Sequence, residues 1–188
     1  MDSASTPWQK SPHKKINLGV PMPALSRAFA ALSLFACATL APLLSAQADE
    51  ALVQRGAYLA AIMDCAGCHT PHGPQGPDMT QALHGANYGF QLPGLGTFVP
   101  PNLTSDKATG LGDWTAEQIG TAITTGVRPD GRILAPIMPW MSYAAITPED
   151  LAALVAFLQS VPAASYDAPG PWGPSEKPTL PYLGMVMP

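Results

Sequence analysis

The segment Cys65-Ala66-Gly67-Cys68-His69 is a C-x-x-C-H motif, and it constrains the chain more than any other feature. The two-residue spacer lets both thiols reach one porphyrin edge as thioethers, and the next imidazole then falls beneath the iron. A redox disulfide and half of a zinc site are the alternatives. They leave the adjacent histidine unexplained, no further cysteine follows Cys68, and no βαβ pattern surrounds the motif. The motif therefore predicts one covalent haem c, with His69 as an iron ligand.

Residues 1–48 have the pattern of a secretory signal peptide that is cleaved. Basic residues precede an apolar run from Ala28 to Leu44, and Ala46-Gln47-Ala48 forms an A-x-A cleavage site. We expect the mature chain to begin near Asp49. Met22 is an alternative start, because the residues that follow it would make a basic region of ordinary length.

Two other interpretations of this leader are open. An uncleaved membrane anchor would be short for a span and would contain Pro42. A lipoprotein signal ending at Cys37 has a small residue before the cysteine, although Phe35 is bulky for its place. Export and the C-x-x-C-H motif support each other, because haem is attached to c-type proteins outside the cytoplasm. The predicted location is the periplasm, with no membrane span after cleavage.

Cleavage at Ala48 would make the chain more acidic. It removes four basic residues and one acidic residue, so the formal charge moves from −4 to −7. A negative surface argues against nucleic-acid binding and against attraction to anionic lipid. It is compatible with a protein partner that has a basic docking face.

Three segments after the leader have the pattern of helices. Ala51–Asp64 carries apolar residues at helical spacing and leads into the haem motif. A second helix begins at a capping box formed by Thr115 and Gln118. The third begins at Thr147, with proline at its first position, and continues as far as Pro162. The long stretch between the first two has no period, so we expect haem to supply the missing core.

The loop after the motif predicts how the proximal histidine is held. It is rich in proline and glycine and has backbone carbonyl groups to spare. We expect one of them, from Pro74 or Pro77, to accept the second ring N–H of His69. His72 and His84 are expected to be surface residues.

A methionine thioether is the usual sixth ligand in electron-transfer haems. Met138 lies in a proline-rich, non-helical segment after the second predicted helix, which presents its side chain with little freedom. The sequence predicts Met138 as the second axial ligand, with Met141 as the alternative. The competing interpretation is that methionine fills the core.

Other polar and aromatic residues are candidates for haem contact. Asn102 either lies near a haem propionate or forms an Asx-turn. Trp114 packs against the haem edge or the core. Arg128 and Arg132 either bind propionates or face water. The tail, residues 163–188, is rich in proline yet apolar, and we expect it to wrap its own domain or to dock in a groove of a partner.

The order of these motifs resembles that of class I c-type cytochromes. More closely, it resembles the haem domains of cytochrome subunits of periplasmic or membrane-bound alcohol and sugar-acid dehydrogenases. The matching stretches are residues 55–59, 65–70, 101–104, 109–114, 126–132, 138–140 and 149–151.

The resemblance implies an all-α cytochrome c fold over residues 49–162, with three main helices and long loops around one covalent haem. It implies that the first and last helices cross near Gly56. It also implies His69 and Met138 as the axial pair. Trp140 is a further candidate for packing against the haem. This chain departs from those relatives in having one haem motif and a long tail.

The expected function is that of a single-haem electron carrier and not an enzyme. It would take electrons from a periplasmic dehydrogenase and pass them to a downstream cytochrome or terminal oxidase. The alternative is a haem enzyme with an open or displaceable distal site that acts on peroxide or a sulfur compound.

Overall fold

The computed structural model describes residue 47 and residues 49–184. The predicted signal peptide, with its alternative start at Met22 and the lipoprotein cysteine Cys37, lies outside the described residues except for Gln47. Residues 185–188 at the end of the tail also lie outside them. Within the described part, no helix is both long enough and apolar enough to cross a membrane.

The domain consists mainly of helices, with short strands within the loops and the tail. The elements are α1 (49–62), α2 (Cys65–Cys68), β1 (His72–Gly73), β2 (Gly76–Pro77), a 3₁₀ helix (Met79–Gln81), β3 (Gly89–Leu92), β4 (Gly96–Phe98), α3 (Ala116–Thr125), α4 (Trp140–Tyr143), α5 (Pro148–Ser160) and β5 (Tyr182–Gly184).

The expectation of a strictly all-α fold is wrong, because the stretch without a period contains a small sheet. Strands β3 and β4 pair antiparallel, and β5 from the tail adds parallel to β3, which gives the order β4-β3-β5. Strands β1 and β2 form a separate two-stranded hairpin directly after the haem motif. Helices α2 and α4 are single turns of four residues.

The predicted starts of the second and third helices, α3 and α5, are confirmed. The Thr115 hydroxyl accepts from the Gln118 N–H and the Gln118 side chain accepts from the Thr115 N–H, which completes the capping box of α3. At α5 the Thr147 hydroxyl accepts from the Asp150 N–H, and proline follows at the first helical position. Both caps satisfy backbone N–H groups that a helix cannot bond internally.

Helices α1 and α5 cross at Gly56, as the resemblance implies. A Cβ at this position would overlap the carbonyl group of Ala153 and would lie 2.6 Å from Cβ of Phe157. Arg55, which precedes Gly56 in α1, donates through its guanidinium to both carboxylate oxygens of Asp150 in α5, at 2.8 and 3.0 Å. The close approach of the two helices therefore requires glycine at position 56. The bidentate Arg55–Asp150 ion pair links the helices beside this contact.

The core joins the three long helices to the loops. Its buried members are Leu59, Ala60, Leu83, Leu111, Ile119, Ile123, Ala153, Leu154, Val155 and Leu158. Met63, Cys65 and Ala66 are partly buried and pack against this cluster. The haem motif is therefore fixed directly on the hydrophobic core.

The tail wraps its own domain, which is the first of the two predicted alternatives. Ala164 and Tyr166 form hydrogen bonds with the loop between β4 and α3. Trp172 exchanges two backbone hydrogen bonds with Thr97. Strand β5 then pairs along β3, so the tail follows the surface of the loops as far as the structure describes it.

Candidate functional site

The two motif cysteines lie on one helical turn, α2, which Met63 and Asp64 separate from the end of α1. Asp64 separates the two helices with a left-handed backbone, φ 56°, which aspartate tolerates better than most residues. Cys65 and Cys68 are three positions apart on α2, so their side chains share a face. The Asp64 carboxylate lies over Gly67, where a Cβ would require that side chain to rotate aside.

The environment of the thiols does not favour redox exchange. Burial raises the pKa of Cys65 to about 11, and burial followed by the nearby Asp64 charge raises the pKa of Cys68. Both thiols are therefore protonated at neutral pH. A disulfide oxidoreductase needs a C-x-x-C thiol with a lowered pKa, so this alternative is not supported.

The imidazole of His69 is buried, with 7% of the residue exposed, and its orientation is fixed. Its Nδ1 lies 2.8 Å from the carbonyl oxygen of Pro101. A carbonyl oxygen can only accept, so Nδ1 carries the proton and Nε2 keeps a lone pair. Burial lowers the pKa of His69, and the bond to Pro101 opposes this effect. The result is a neutral imidazole ready to bind a metal through Nε2.

The predicted carbonyl acceptor is thus present, but its assignment to Pro74 or Pro77 is wrong. The loop after the motif folds into the β1–β2 hairpin, which directs these prolines elsewhere. A more distant loop supplies Pro101 instead, from 32 residues away.

Two backbone hydrogen bonds bring this loop to His69. The Gly85 N–H donates to the His69 carbonyl group at 2.8 Å. The next residue, Ala86, donates its N–H to the carbonyl group of Pro100 at 3.0 Å. Pro101 follows directly, so its own carbonyl group reaches the imidazole ring.

His72 and Tyr88 hold the motif from another side, which the sequence did not indicate. The His72 Nε2–H and the Tyr88 hydroxyl both donate to the Gly67 carbonyl oxygen, each at 3.0 Å. The two rings pack with centroids 4.7 Å apart, and Asn87 bonds the backbone of His72 at both N–H and C=O. The surface prediction for His72 is wrong, since this ring is half-buried against the motif. No local spacing connects these residues, so no sequence signal reveals the contact.

Asn102 is buried and forms the predicted Asx-turn. Its Oδ1 accepts from the Thr104 N–H at 2.9 Å, while Nδ2 donates to Thr109 Oγ1 and to the carbonyl oxygen of Ala164. The polar atoms of this side chain are thus occupied by protein groups. A role for Asn102 in haem contact stays a prediction.

Trp114 and Arg128 stack on each other beside α3. The guanidinium carbon lies 5.3 Å from the centre of the indole ring, within the range of a cation–π contact. Trp114 is partly buried against the core. Arg128 Nε is buried and has no hydrogen-bond partner among the described residues; its ion pair with Asp130, at 3.5 Å, lacks hydrogen-bond geometry. Arg132 differs, because it is exposed and bonds Asp130 at 2.8 Å.

Met138 lies in a tight turn between α3 and α4. Its N–H donates to the Ala135 carbonyl group at 2.9 Å, and its own carbonyl group accepts from the Trp140 N–H at 2.8 Å. Its side chain is half-buried, whereas Met141 on α4 is 57% exposed. The turn restrains Met138, and its role as axial ligand stays a prediction.

Trp140 fastens the Met138 turn to the end of α3. A Cβ at Gly126 would lie 2.7 Å from the indole ring, so the ring packs flat against this glycine. Gly126 itself ends α3 with φ 76°, a conformation that favours glycine. The indole N–H of Trp140 donates to the Leu134 carbonyl group at 3.3 Å. The contact of Trp140 with haem also stays a prediction.

Residues 53–162 match the cytochrome c family. The chain belongs to this family. Membership implies covalently bound haem c, which agrees with the motif at Cys65 and Cys68. The cytochrome c fold is thereby confirmed in its coarse form, with short strands added to the helices.

Three curated relatives make the resemblance more specific. The cytochrome c subunit of alcohol dehydrogenase (quinone) from Gluconacetobacter polyoxogenes is 40% identical over 131 residues, 68% of this chain and 25% of that protein. The gluconate 2-dehydrogenase cytochrome c subunit of Pantoea cypripedii is 37% identical, over 67% of this chain and 28% of that protein. The fructose dehydrogenase cytochrome subunit of Gluconobacter japonicus is 38% identical, over 67% of this chain and 24% of that protein.

The similarity to cytochrome subunits of alcohol and sugar-acid dehydrogenases is thus confirmed. The chain spans about a quarter of the length of these relatives. Each is named as a cytochrome subunit, which agrees with the expectation of an electron-transfer protein and not an enzyme.

The residues of this cytochrome fit haem c on their own chemistry. Two protonated thiols share one helical turn, and a neutral imidazole beside them keeps a free nitrogen lone pair. Arg128 Nε forms an ion pair with Asp130 at 3.5 Å but no hydrogen bond within the described residues, so this donor suits a carboxylate such as a haem propionate. Among the described residues no three His, Cys, Asp or Glu side chains cluster to hold a bare metal ion, so the zinc alternative is not supported.

Proposed function

We propose that the chain is a single-haem electron carrier that serves a periplasmic dehydrogenase. One haem would be attached to Cys65 and Cys68, with His69 and Met138 as the axial ligands. The observation that carries this proposal is the buried, neutral imidazole of His69, whose Nδ1–H is bound to Pro101 beside the two thiols. A single C-x-x-C-H motif supports one haem for this chain.

Each residue of the site has a distinct task in this proposal. The thiols of Cys65 and Cys68 hold the cofactor by covalent bonds. The carbonyl group of Pro101 orients the His69 ring and raises the basicity of its Nε2. Met138, restrained by its turn, donates a thioether of low basicity, which favours a raised reduction potential. When bound, haem supplies a one-electron couple between ferrous and ferric iron.

The proposed partner is a dehydrogenase of the kind named for the relatives, which act with alcohols, gluconate or fructose according to their names. The predicted leader supports a periplasmic location, where such a partner and the haem attachment machinery would both be available. The acidic composition of the mature chain supports docking to a basic face. A downstream cytochrome or terminal oxidase would accept the electrons.

The function can be tested by isolating the protein from its native membrane and periplasmic fractions. We expect a quinone- or sugar-linked dehydrogenase activity to copurify with the haem-loaded protein. Addition of the dehydrogenase substrate should then reduce the haem within the complex. A protein that copurifies with no oxidoreductase, and that binds cyanide readily as a high-spin ferric haem, would favour the haem enzyme instead.

A further inference from the structure

The tail segment of residues 164–172, here called the strap, is bound to the loop that carries Pro101. The carbonyl oxygen of Ala164 accepts from Asn102 Nδ2 at 2.6 Å and from Thr104 Oγ1 at 3.1 Å. The N–H of Ala164 donates to the same Thr104 hydroxyl at 3.2 Å. Asn102 and Thr104 are both buried, so these bonds are shielded from water.

Tyr166 makes the second anchor of the strap. Its hydroxyl donates to the carbonyl oxygen of Ala86 at 2.6 Å, across 80 residues of sequence. Its backbone N–H donates to Thr109 Oγ1 at 3.0 Å. Its ring covers Gly85 closely, because a Cβ there would lie 2.6 Å from the ring.

Each of the two segments that the strap contacts also forms a hydrogen bond with His69. Gly85, under the Tyr166 ring, donates its N–H to the His69 carbonyl group at 2.8 Å. Asn102, bonded to Ala164, follows Pro101, whose carbonyl group accepts the His69 ring proton at 2.8 Å. The strap therefore contacts the segments that hold the backbone and the ring of the proximal histidine.

We propose that the strap is a positioning element for His69, with Tyr166 as its main positioning residue. This inference rests on the proposed function, because it takes His69 as the proximal ligand. The strap keeps the Pro101 carbonyl group at hydrogen-bond distance from the ring, and so keeps Nε2 strongly basic. A more basic imidazole stabilises ferric iron, so loosening the strap raises the reduction potential.

The test uses the full haem-loaded protein and the substitution Tyr166→Phe, which removes one hydroxyl and keeps the ring over Gly85. Tyr182→Phe is the matched control, because Tyr182 lies in the same tail, is 46% exposed, and has no side-chain hydrogen bond within the described residues. The reduction potential is measured by potentiometric titration. Amide hydrogen exchange at Gly85 reports the local opening of the segment.

We expect Tyr166→Phe to raise the reduction potential above that of the wild type and to speed exchange at Gly85 by up to about tenfold. Tyr182→Phe should leave both unchanged. A potential that shifts no more in Tyr166→Phe than in Tyr182→Phe overturns the inference, even if thermal stability falls, because the strap is then only a structural fastener.

Thr104→Val provides a second route should Tyr166→Phe fail to accumulate. It removes the hydroxyl that bonds Ala164 while keeping the volume of the side chain, and it carries the same expectation for the potential. A wild-type chain that acquires no covalent haem would overturn the proposed function itself. That result is distinct from an unchanged potential in a haem-loaded variant.

Discussion

The imidazole of His69 and the carbonyl group of Pro101 meet at 2.8 Å across 32 residues of sequence. This contact decides which ring nitrogen keeps its lone pair, since the carbonyl oxygen accepts only from a protonated Nδ1. It also makes the orientation of the His69 ring depend on a loop to which the tail is hydrogen-bonded. The geometry of the candidate site therefore depends on the whole domain and not on the motif alone.

Met138→Ala tests the proposed second axial ligand. Removing the thioether should leave ferric iron high-spin, abolish the far-red absorption band of methionine-ligated haem and lower the reduction potential. Met141→Ala is the control, because Met141 is exposed and should leave the spectrum unchanged. Loss of the band in Met141→Ala alone would assign ligation to Met141 instead.

Gly126→Ala should disturb the turn that presents Met138. Residue 126 has a left-handed backbone conformation, φ 76°, which alanine tolerates poorly. The added Cβ would also lie 2.7 Å from the Trp140 ring. Gly131→Ala is a close control, with φ 81° and no heavy atom within 4 Å of the added Cβ. The backbone alone costs about 1–2 kcal/mol in both variants. We expect denaturant unfolding to show an additional loss of about 1–3 kcal/mol only in Gly126→Ala, from overpacking. An equal loss of stability in Gly126→Ala and Gly131→Ala would show that the Trp140 ring can move aside without cost.

Gly56→Ala should weaken the crossing of α1 and α5. The added methyl group overlaps the Ala153 carbonyl group, and backbone cannot rotate aside as a side chain can. Overpacking typically costs about 1–3 kcal/mol, against roughly 1 kcal/mol regained from helix propensity. Gly120→Ala in α3 is the control, since its Cβ would lie 3.4 Å from a Leu151 methyl group in ordinary contact. Denaturant unfolding should show a lower stability for Gly56→Ala and an equal or higher one for Gly120→Ala. If Gly56→Ala were more stable than Gly120→Ala, the close crossing of α1 and α5 at Gly56 would be contradicted.

The Arg55–Asp150 pair predicts a specific acid sensitivity. Hydrogen bonds from Arg55 lower the pKa of the Asp150 carboxyl below its ordinary value of 3.8. Its stabilising contribution is therefore complete above that value and is lost as the pH falls through the lower, folded-state pKa. We expect Arg55→Gln to be less stable than the wild type near pH 6, and the difference to shrink below about pH 3. The effect should be small and should decrease with salt, because the pair is exposed.

Lys177→Gln is the matched control for this charge change. Lys177 has no ion pair among the described residues, so its removal should cause no difference in stability that disappears on acidification. A stability difference between Arg55→Gln and the wild type that stays constant down to pH 3 would show that packing of the long side chain matters and the ion pair does not.

Local patterns in the sequence predicted the parts of the fold that depend on neighbouring residues. The first helix leads into the C-x-x-C-H motif, Thr115 with Gln118 forms the capping box, and Thr147 caps the last helix. The helix crossing at Gly56 followed from the resemblance to c-type cytochromes, and the close approach of the Ala153 carbonyl group agrees with it. These features are set within a few positions of the chain or by the steric demand of a single residue.

Contacts between distant segments could not be predicted in the same way. The acceptor for His69 is 32 residues away, and the tail bonds Asn102 and Ala86 across 62 and 80 residues. Strand β3 gains its partner β5 from the tail, although its own sequence, Gly89–Leu92, has no clear alternation. Such pairings follow from the packing of the complete chain, for which spacing within one segment carries no information.

Covalent haem attachment is tested most directly by the mass of the proteolytic peptide that contains Cys65 and Cys68, taken from the protein matured in a periplasm. We expect a peptide heavier by one haem, with the haem resistant to extraction by acid and organic solvent. An unmodified peptide from a folded, colourless protein would contradict it.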